Sequence, residues 1–424
     1  THKVWGYLIF GFILLTIFQA IYDWSSVPMD FIDSTFASLS EWTKSVMPEG
    51  AFTNLVAEGI IPGLGGIVIF IPQIAFLFLF ISILEESGYM SRVVFLMDRI
   101  MRRFGLSGKS VVPLISGTAC AIPAIMATRN IESWKERLIT ILVTPFTTCS
   151  ARLPVYLIII ALVIPEGRFL GLSYQALTLM LLYLIGFGAA VGSAWILNKV
   201  LKIKSKSFFV VEMPNYKVPL VKNVALTVLE KTKAFIFGAG KIILAISIVL
   251  WFLASYGPGD DFNNAEEIVT EQYASDNLSE EELEQKVASY KLEHSFIGIT
   301  GRAIEPAIRP LGYDWKIGIA IVSSFAAREV FVGTLATIYS VGSDEEDTIK
   351  NRMAGEVNPI LGGPLFNFAS GISLLLFYAF AMQCMSTLAI VKRETNSWKW
   401  PMYQLVVMSG FAYIVALAAY QILI

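Results

Sequence analysis

The sequence predicts an all-α polytopic membrane protein, built from two inverted repeats with broken or re-entrant helices, in about seven to eight spans. The first observation is composition. Hydrophobic residues make up 55% of the 424 residues and charged residues only 16%, whereas about a quarter of the residues in soluble domains are charged. The second is that prolines and glycines interrupt several apolar runs. The third is that the last third of the chain repeats the outline of the first.

The stretch between Lys109 and Arg129 shows why we expect broken helices. It holds about twenty mostly apolar residues, enough to cross a bilayer, but Pro113, Gly117 and Pro123 interrupt it. Proline removes a backbone donor, and we expect the groups set free at membrane depth to face a cavity or a ligand. Because basic residues flank both ends, we predict a re-entrant hairpin that enters and leaves at the cytoplasmic face.

The other apolar runs predict the remaining spans. We expect crossings over residues 4–22, 59–84, 138–164, 174–197, 234–254, 366–391 and 401–424. The interrupted run 315–341 is predicted to be a second hairpin. If it crossed the membrane instead, the protein would have eight spans and its C-terminus would lie inside. Basic segments, 91–103 and 199–233, are assigned to the cytoplasm, and acidic segments, 23–58 and 256–295, to the outside.

The resulting organisation has five parts. They are a first span and acidic external loop (1–58), a first repeat (59–200), a basic cytoplasmic amphipathic linker (201–233), a second repeat with an external acidic insert at 256–295 (234–391), and a final span (392–424). The chain begins Thr1-His2-Lys3, without an initiator methionine or a signal-peptide pattern. We therefore expect it to be the middle of a longer protein.

Three cysteines, Cys120, Cys149 and Cys384, lie at or beside the polar interruptions. An odd number at membrane depth argues against a disulfide framework. Both histidines, His2 and His294, fall outside the apolar runs, which excludes a histidine-rich metal site within the membrane. The thiols are thus candidate ligands for a borderline metal ion such as Fe²⁺, and the alternative is that each is a small apolar filler. Candidate helpers at the same breaks are Met126, Met385 and Ser150.

Charged residues inside apolar runs are the second signal, because ionisable groups in a membrane usually face a cavity or a partner. Arg152, Arg328 and Glu329 lie in such runs. Glu329 either pairs with an arginine or attracts a cation. Glu85 and Glu86 end a predicted span. They are either a solvated helix end or an exit site for a cation. The acidic insert either concentrates cations near an entrance or is merely solvated.

Several ordered motifs closely resemble the transmembrane region of the ferrous iron transport protein B family. They are GYMSR at 88–92, FLMDR at 95–99, GKS at 108–110, GTACAIPA at 117–124, CSARLP at 149–154, SFAARE at 324–329 and CMSTLA at 384–389. The resemblance implies Fe²⁺ transport across a bacterial inner membrane through a pore between two gate-type repeats. It also implies an N-terminal GTP-binding domain that is not in this chain.

The resemblance further implies the partners. They are the transported Fe²⁺, the lipid bilayer, the protein's own GTPase domain, a small cytoplasmic regulatory protein of the same system, and further copies of the chain; no nucleic acid is expected. We expect no cofactor in this chain and GTP in the missing domain. The run from Gly105 to Ser110 ends like a phosphate loop, but Arg103 stands where that pattern needs glycine. The chain by itself is therefore predicted not to be an enzyme.

Two other function classes stay open at this point. A gate-type carrier for nucleosides or another small organic solute would need aromatic and amide groups converging on a cavity, and Phe366, Asn367, Phe368 and Gln383 are available. A membrane enzyme would need a nucleophile with a base, and Cys149 has no histidine near it in the sequence.

Overall fold

The described chain is helical almost throughout. The structure is a computed structural model that describes residues 5–19, 24–48, 50–69, 71–165, 167–169, 172–201, 216–272, 280–325, 328, 331, 334–335, 338 and 365–424. Within these residues the exception is one short antiparallel ladder, in which Arg168–Phe169 (β1) pairs with Leu172–Ser173 (β2). The predicted all-α class is confirmed.

The α-helices fall into two stretches of sequence. Before residue 201 they are α1 (Trp5–Gln19), α2 (Ser26–Val46), α3 (Ala51–Asn54), α4 (Ile61–Val68), α5 (Ile71–Glu86), α6 (Tyr89–Met101), α7 (Val111–Ala119), α8 (Ala121–Ala127), α9 (Trp134–Val143), α10 (Leu153–Val163) and α11 (Tyr174–Val200). After residue 216 they are α12 (Val221–Phe235), α13 (Lys241–Ser255), α14 (Asp260–Asn263), α15 (Ala265–Gln272), α16 (Glu280–His294), α17 (Phe296–Ile308), α18 (Trp315–Ser323), α19 (Phe368–Phe380), α20 (Met385–Thr395) and α21 (Lys399–Leu423).

Five helical stretches of the described chain are long and apolar enough to cross a membrane. They are Ala51–Glu86, Trp134–Val163, Tyr174–Val200, Phe368–Thr395 and Lys399–Leu423. The protein is therefore a multi-pass membrane protein, as predicted. Helices α1 and α13, each of fifteen residues, lie where two further spans are predicted, and the total of seven or eight stays a prediction.

The chain divides into two compact units. The first comprises Thr1–Ser150, Leu184–Ala245 and Ser386–Gln404. Its core joins α4, α5, α8, α9, α12 and α20 through buried apolar side chains: Ile67, Ile74, Phe78, Ile122, Ile125, Met126, Ile141, Phe235, Ile390 and Val391. Helix α8, the second arm of the predicted hairpin, supplies three of them, so this arm is embedded in the unit by hydrophobic packing.

The second unit comprises Ala151–Tyr183, Ile246–Met385 and Leu405–Ile424. Helices α17 and α18 pack together around a cluster that includes Ile297 and Ile319. Polar contacts also fix its helices, since the Tyr313 hydroxyl lies 2.9 Å from the Ser373 hydroxyl. Ser373 donates in turn to the carbonyl of Ala416 on α21 at 3.0 Å.

The stretch from Lys109 to Arg129 forms a helical hairpin of α7 and α8, and its entry and exit at the cytoplasmic face stay a prediction. Lys109 Nζ lies 2.9 Å from the carboxylate of Glu132, three residues beyond the hairpin's end. Lys109 and Arg129 also line the same cavity, so the chain returns to where it entered. The second predicted hairpin begins with α18, and most of its later part lies outside the described residues.

The segment predicted as an acidic external loop contains a helix of 21 residues, α2. It packs on the chain that follows it: the Ser40 hydroxyl donates to the carbonyl of Ala57 at 2.7 Å, and the Phe36 ring lies against Gly65. The polar and acidic composition concealed an amphipathic helix, because about three to four apolar residues per two turns, all on one face, are enough to anchor a surface helix.

A glycine substitution tests the packing of the hairpin. A Cβ at Gly117 would lie 2.4 Å from Thr147 Oγ1 and 3.1 Å from Thr144 Cγ2. We expect Gly117→Ala to lower the free energy of unfolding by about 1–3 kcal/mol through overpacking. Gly188→Ala on α11 is the control, because nothing lies within 4 Å of that Cβ. Thermal unfolding in detergent measures both, and equal midpoints for the two variants would contradict this packing.

Candidate functional site

Each of the three cysteines lies where a helix is interrupted. Cys120 has extended backbone, with φ −153° and ψ 132°, between the end of α7 and the start of α8. Cys149 closes the non-helical stretch 147–149, and Cys384 closes the non-helical stretch 381–384 that follows α19. All three are of intermediate burial, and none of them forms a disulfide. They therefore lie where the backbone departs from a continuous helix.

The structure brings the first two interruptions side by side within the first unit. The hydroxyl of Ser150, next to Cys149, donates to the carbonyl of Ala119, next to Cys120, at 2.8 Å. The approach is close because Gly117 has no side chain where it faces Thr147. Sequence spacing alone did not show this contact, which joins residues 31 positions apart.

Several backbone carbonyls freed at these breaks accept hydrogen bonds from side chains. Pro123 cannot donate to the carbonyl of Ala119, four residues earlier, and Ser150 does so instead. Pro145 likewise leaves the carbonyl of Ile141 free. Gln404 of α21 donates to Leu142 O at 2.9 Å and to Ile141 O at 3.5 Å. Contrary to the expectation that freed carbonyls face a cavity or a ligand, these carbonyls accept hydrogen bonds from protein side chains. Gln404 escaped prediction because it lies far away in sequence.

Arg328 has the same role in the second unit. Its buried guanidinium donates to the carbonyls of Tyr378, at 3.4 Å, and Ala381, at 2.9 Å, where α19 ends. The Met385 amide, at the start of α20, donates to the carbonyl of Phe325 at 3.2 Å. Arg328 thus stabilises the interruption that precedes Cys384. Glu329 was predicted either to pair with an arginine or to attract a cation, and it lies outside the described residues.

The remaining candidate ligands are placed in different surroundings. Met126 is buried on α8, whereas Met385 is exposed at the first residue of α20. Glu85 is exposed at the end of α5. Glu86 accepts a hydrogen bond from the Asn223 side chain at 2.6 Å. Arg152, which the sequence also singled out, is fully buried.

A cavity of about 450 Å³ lies in the first unit, at the open end of the hairpin. Its charged lining residues are Glu85, Lys109, Arg129 and Lys231. Met126 and the hydroxyl of Ser82 also line it. Three cations beside one carboxylate do not produce a strongly negative field, so this cavity does not by itself concentrate a dication.

The Gly-Lys-Ser turn at the start of the hairpin is held by carboxylates. The Gly108 amide donates to Asp98 Oδ1 at 2.9 Å. Lys109 pairs with Glu132, and this hydrogen bond and charge hold the pKa of the Glu132 carboxyl below its usual value. A lowered pKa means that the ion pair persists above that pKa and is lost as the pH falls through it. The amide and the ammonium that a phosphate loop offers to a nucleotide are engaged here by protein carboxylates.

Within the described part of the chain, the thiols do not belong to a closed metal cage. Among the residues that the structure describes, no group of three or more histidine, cysteine, aspartate or glutamate side chains is arranged to hold a metal ion. The cysteines are instead distributed, with Cys120 and Cys149 in the first unit and Cys384 in the second. Each cysteine therefore offers one soft ligand at its own helix interruption.

Comparison with known proteins shows which family the chain belongs to. The Gate family, described as nucleoside recognition, matches residues 67–163 and 236–398. The chain belongs to the Gate family. The two matched segments overlap the two predicted repeats, whose boundaries stay a prediction, and each carries an interrupted helix with cysteine at the break. A second model, the C terminus of ferrous iron transport protein B, matches residues 179–231 of this Gate protein.

Curated relatives match this Gate protein over almost its whole length. "Fe(2+) transporter FeoB" of Leptospira interrogans is 45% identical over 99% of the chain and 58% of the relative. The protein of that name from Staphylococcus aureus is 36% identical over the whole chain and 58% of the relative. A "Fe(2+) transport protein A/Fe(2+) transporter FeoB fusion protein" of Porphyromonas gingivalis is 35% identical over the whole chain and 50% of the relative.

These matches confirm the resemblance to the transmembrane region of the ferrous iron transport protein B family. The chain spans between half and three-fifths of the length of these relatives. No solved structure matches it.

The bond between the first two interruptions makes a prediction about stability. We expect Ser150→Ala to lower the free energy of unfolding by about 1–3 kcal/mol, because the buried carbonyl of Ala119 loses its donor. The control is Ser34→Ala on α2, which also loses a hydroxyl-to-carbonyl bond, at 3.0 Å to Phe31, but where solvent replaces it. Chemical denaturation in micelles measures both. Equal losses would show that the two breaks are not joined as described.

Proposed function

We propose that this chain is the membrane pathway of a transporter that carries Fe²⁺ across the bacterial inner membrane. The observation that carries the proposal is the direct bond between the Cys120 and Cys149 interruptions, through Ser150 and Ala119. It puts two thiol-bearing breaks next to each other in the first unit. The printed names of relatives that match nearly the whole chain support iron as the cargo.

The chemistry of the described breaks supports thiols as the principal ligands. Fe²⁺ is borderline in softness and accepts thiolate, imidazole and carboxylate. The carbonyls of Ala119, Leu142 and Ala381 already accept hydrogen bonds from Ser150, Gln404 and Arg328. A conducting path also needs weak, successive sites, since a tight cage would trap the ion. We therefore assign Cys120 and Cys149 to one stage of the path and Cys384 to another.

Other candidate ligands have supporting parts in this proposal. Met126 and Met385 offer thioether sulfur near the first and third cysteines in the sequence, and the Ser150 oxygen keeps acceptor capacity after donating to Ala119. Glu85, Glu86 and Glu329 are proposed to attract the ion at the ends of the path. Because Glu85 shares its cavity with three cations, its contribution is expected to be smaller than that of the thiols.

We propose that a GTP-binding domain preceding this chain controls opening. The basic helices α6 and α12 offer it a docking surface at the predicted cytoplasmic side, and they are tied together near their starts. Arg92 of α6 stacks on the Tyr216 ring at 3.7 Å, and the Lys217 amide donates to the carbonyl of Ser87 at 3.3 Å. A small partner of the protein A type is supported by the fusion relative, and self-association is a further part of the proposal.

The description of the Gate family keeps a nucleoside carrier as the second candidate. Such a carrier needs amide and aromatic groups that are free to bind a base. Asn367, one of the predicted groups, instead caps α19, its side-chain oxygen accepting from the Ser370 amide at 2.8 Å. Gln383 is buried next to Cys384, and it is the amide that a nucleoside would most directly contact.

Substitution of the two adjacent thiols tests both candidates. We expect Cys120→Ser with Cys149→Ser to reduce Fe²⁺ uptake into liposomes by about tenfold or more, since hydroxyl is a harder and weaker ligand. The control is Ser116→Ala, a one-atom change on the same hairpin that leaves all thiols in place. Nucleoside uptake is measured in parallel and is expected to be absent. Undiminished iron flux in the double variant would remove the thiol pathway, and nucleoside flux would establish the second candidate.

A further inference from the structure

Glu394, near the end of α20, is a carboxylate almost completely withdrawn from solvent. Its side chain is only 2% exposed. Arg129 donates to it through two nitrogens, at 2.8 Å and 2.6 Å, and Arg137 donates at 2.9 Å. The Arg393 guanidinium lies 3.7 Å away. A buried carboxylate of this kind is stable only while its cationic partners stay in place.

The helices that meet at Glu394 all lead to cysteine interruptions. Helix α8 begins directly after Cys120 and ends just before the turn that carries Arg129. Helix α9 carries Arg137 and runs toward the interruption at Cys149. Helix α20, which carries Glu394, begins directly after Cys384. With a rise of 1.5 Å per residue, each helix extends about 10–15 Å from its break to this carboxylate.

The ion pair at the start of the hairpin differs from the contact at Glu394 in how far its carboxylate is exposed. The Lys109–Glu132 pair also links the hairpin to the chain beyond it, but the Glu132 side chain is 84% exposed. Exposed pairs contribute little, because water and salt replace them easily. At Glu394 water has no such access, so losing one partner leaves a buried charge unsatisfied and favours movement of the helices that carry the charges.

We propose that Glu394 is a positioning residue that fixes α8 and α9 against α20 and thereby sets the exposure of Cys120 and Cys149. With the carboxylate intact, both breaks are held in their half-buried positions. Without it, Arg129 and Arg137 have no common partner, the cytoplasmic end of the hairpin loosens, and the thiols become accessible. The inference rests on the proposed function in treating these thiols as the ion path, but the positions of the thiols can be measured independently of transport.

The test compares Glu394→Gln with unsubstituted protein and with Glu132→Gln, all reconstituted in liposomes. The rate of modification of Cys120 and Cys149 by a small maleimide is followed by mass spectrometry. For Glu394→Gln we expect both rates to rise about tenfold, within the usual range of coupling between linked sites. Glu132→Gln makes the same chemical change at an exposed pair of the same hairpin and is expected to leave both rates unchanged. Glu394→Asp, which restores the charge, is expected to lower the rates toward those of unsubstituted protein.

Several outcomes decide the proposal. Folded, monodisperse Glu394→Gln protein with unsubstituted rates at both thiols would overturn it. If that variant does not fold, Arg129→Gln and Arg137→Gln each remove one partner only, and each is expected to raise both rates by a smaller factor; unchanged rates in both would overturn the proposal. Fe²⁺ uptake is measured on the same liposomes. Failure of the unsubstituted protein to carry iron would reject the proposed function while leaving the thiol measurement valid.

Discussion

An interrupted helix within a membrane needs hydrogen-bond donors for the carbonyls that its own turns no longer satisfy, because no water is available there. This protein supplies them from side chains at distant positions. Ser150, Gln404 and Arg328 donate to carbonyls at or beside the three interruptions. The rest of the structure depends on this constraint, since each donor must be held in place by the helix that carries it.

The same contacts explain how these helices stay interrupted while the protein remains folded. At Cys120 a single extended residue separates two helices, a geometry that a continuous hydrogen-bond ladder would not allow. The Ser150 bond and the absence of a side chain at Gly117 hold it against the Cys149 segment. Since a few polar contacts fix each break, the gating proposed above would require changes in only those contacts.

Charge is arranged differently at the open end of the hairpin. Lys109 and Arg129 each have a carboxylate partner, Glu132 and Glu394 respectively. The first pair is a single ammonium contact to an exposed carboxylate, whereas the second is a two-nitrogen guanidinium contact to a buried one. The exposed pair marks where the chain meets water. The buried pair joins three helices. Interrupted helices occur in both segments that the Gate family matches, whereas the placement of these charges depends on how the chain packs.

The sequence by itself determined the membrane class, the first hairpin, the positions of the cysteine interruptions and the resemblance to the iron transport family. These follow from local composition and from proline, glycine and charge spacing, which act over a few residues. Only the tertiary structure decided which breaks touch, which carbonyls are already satisfied, and that Glu394 meets Arg129 across 265 positions. It also revealed a helix in the acidic segment after α1. Long-range pairing depends on how all the helices pack at once, and no local pattern encodes it.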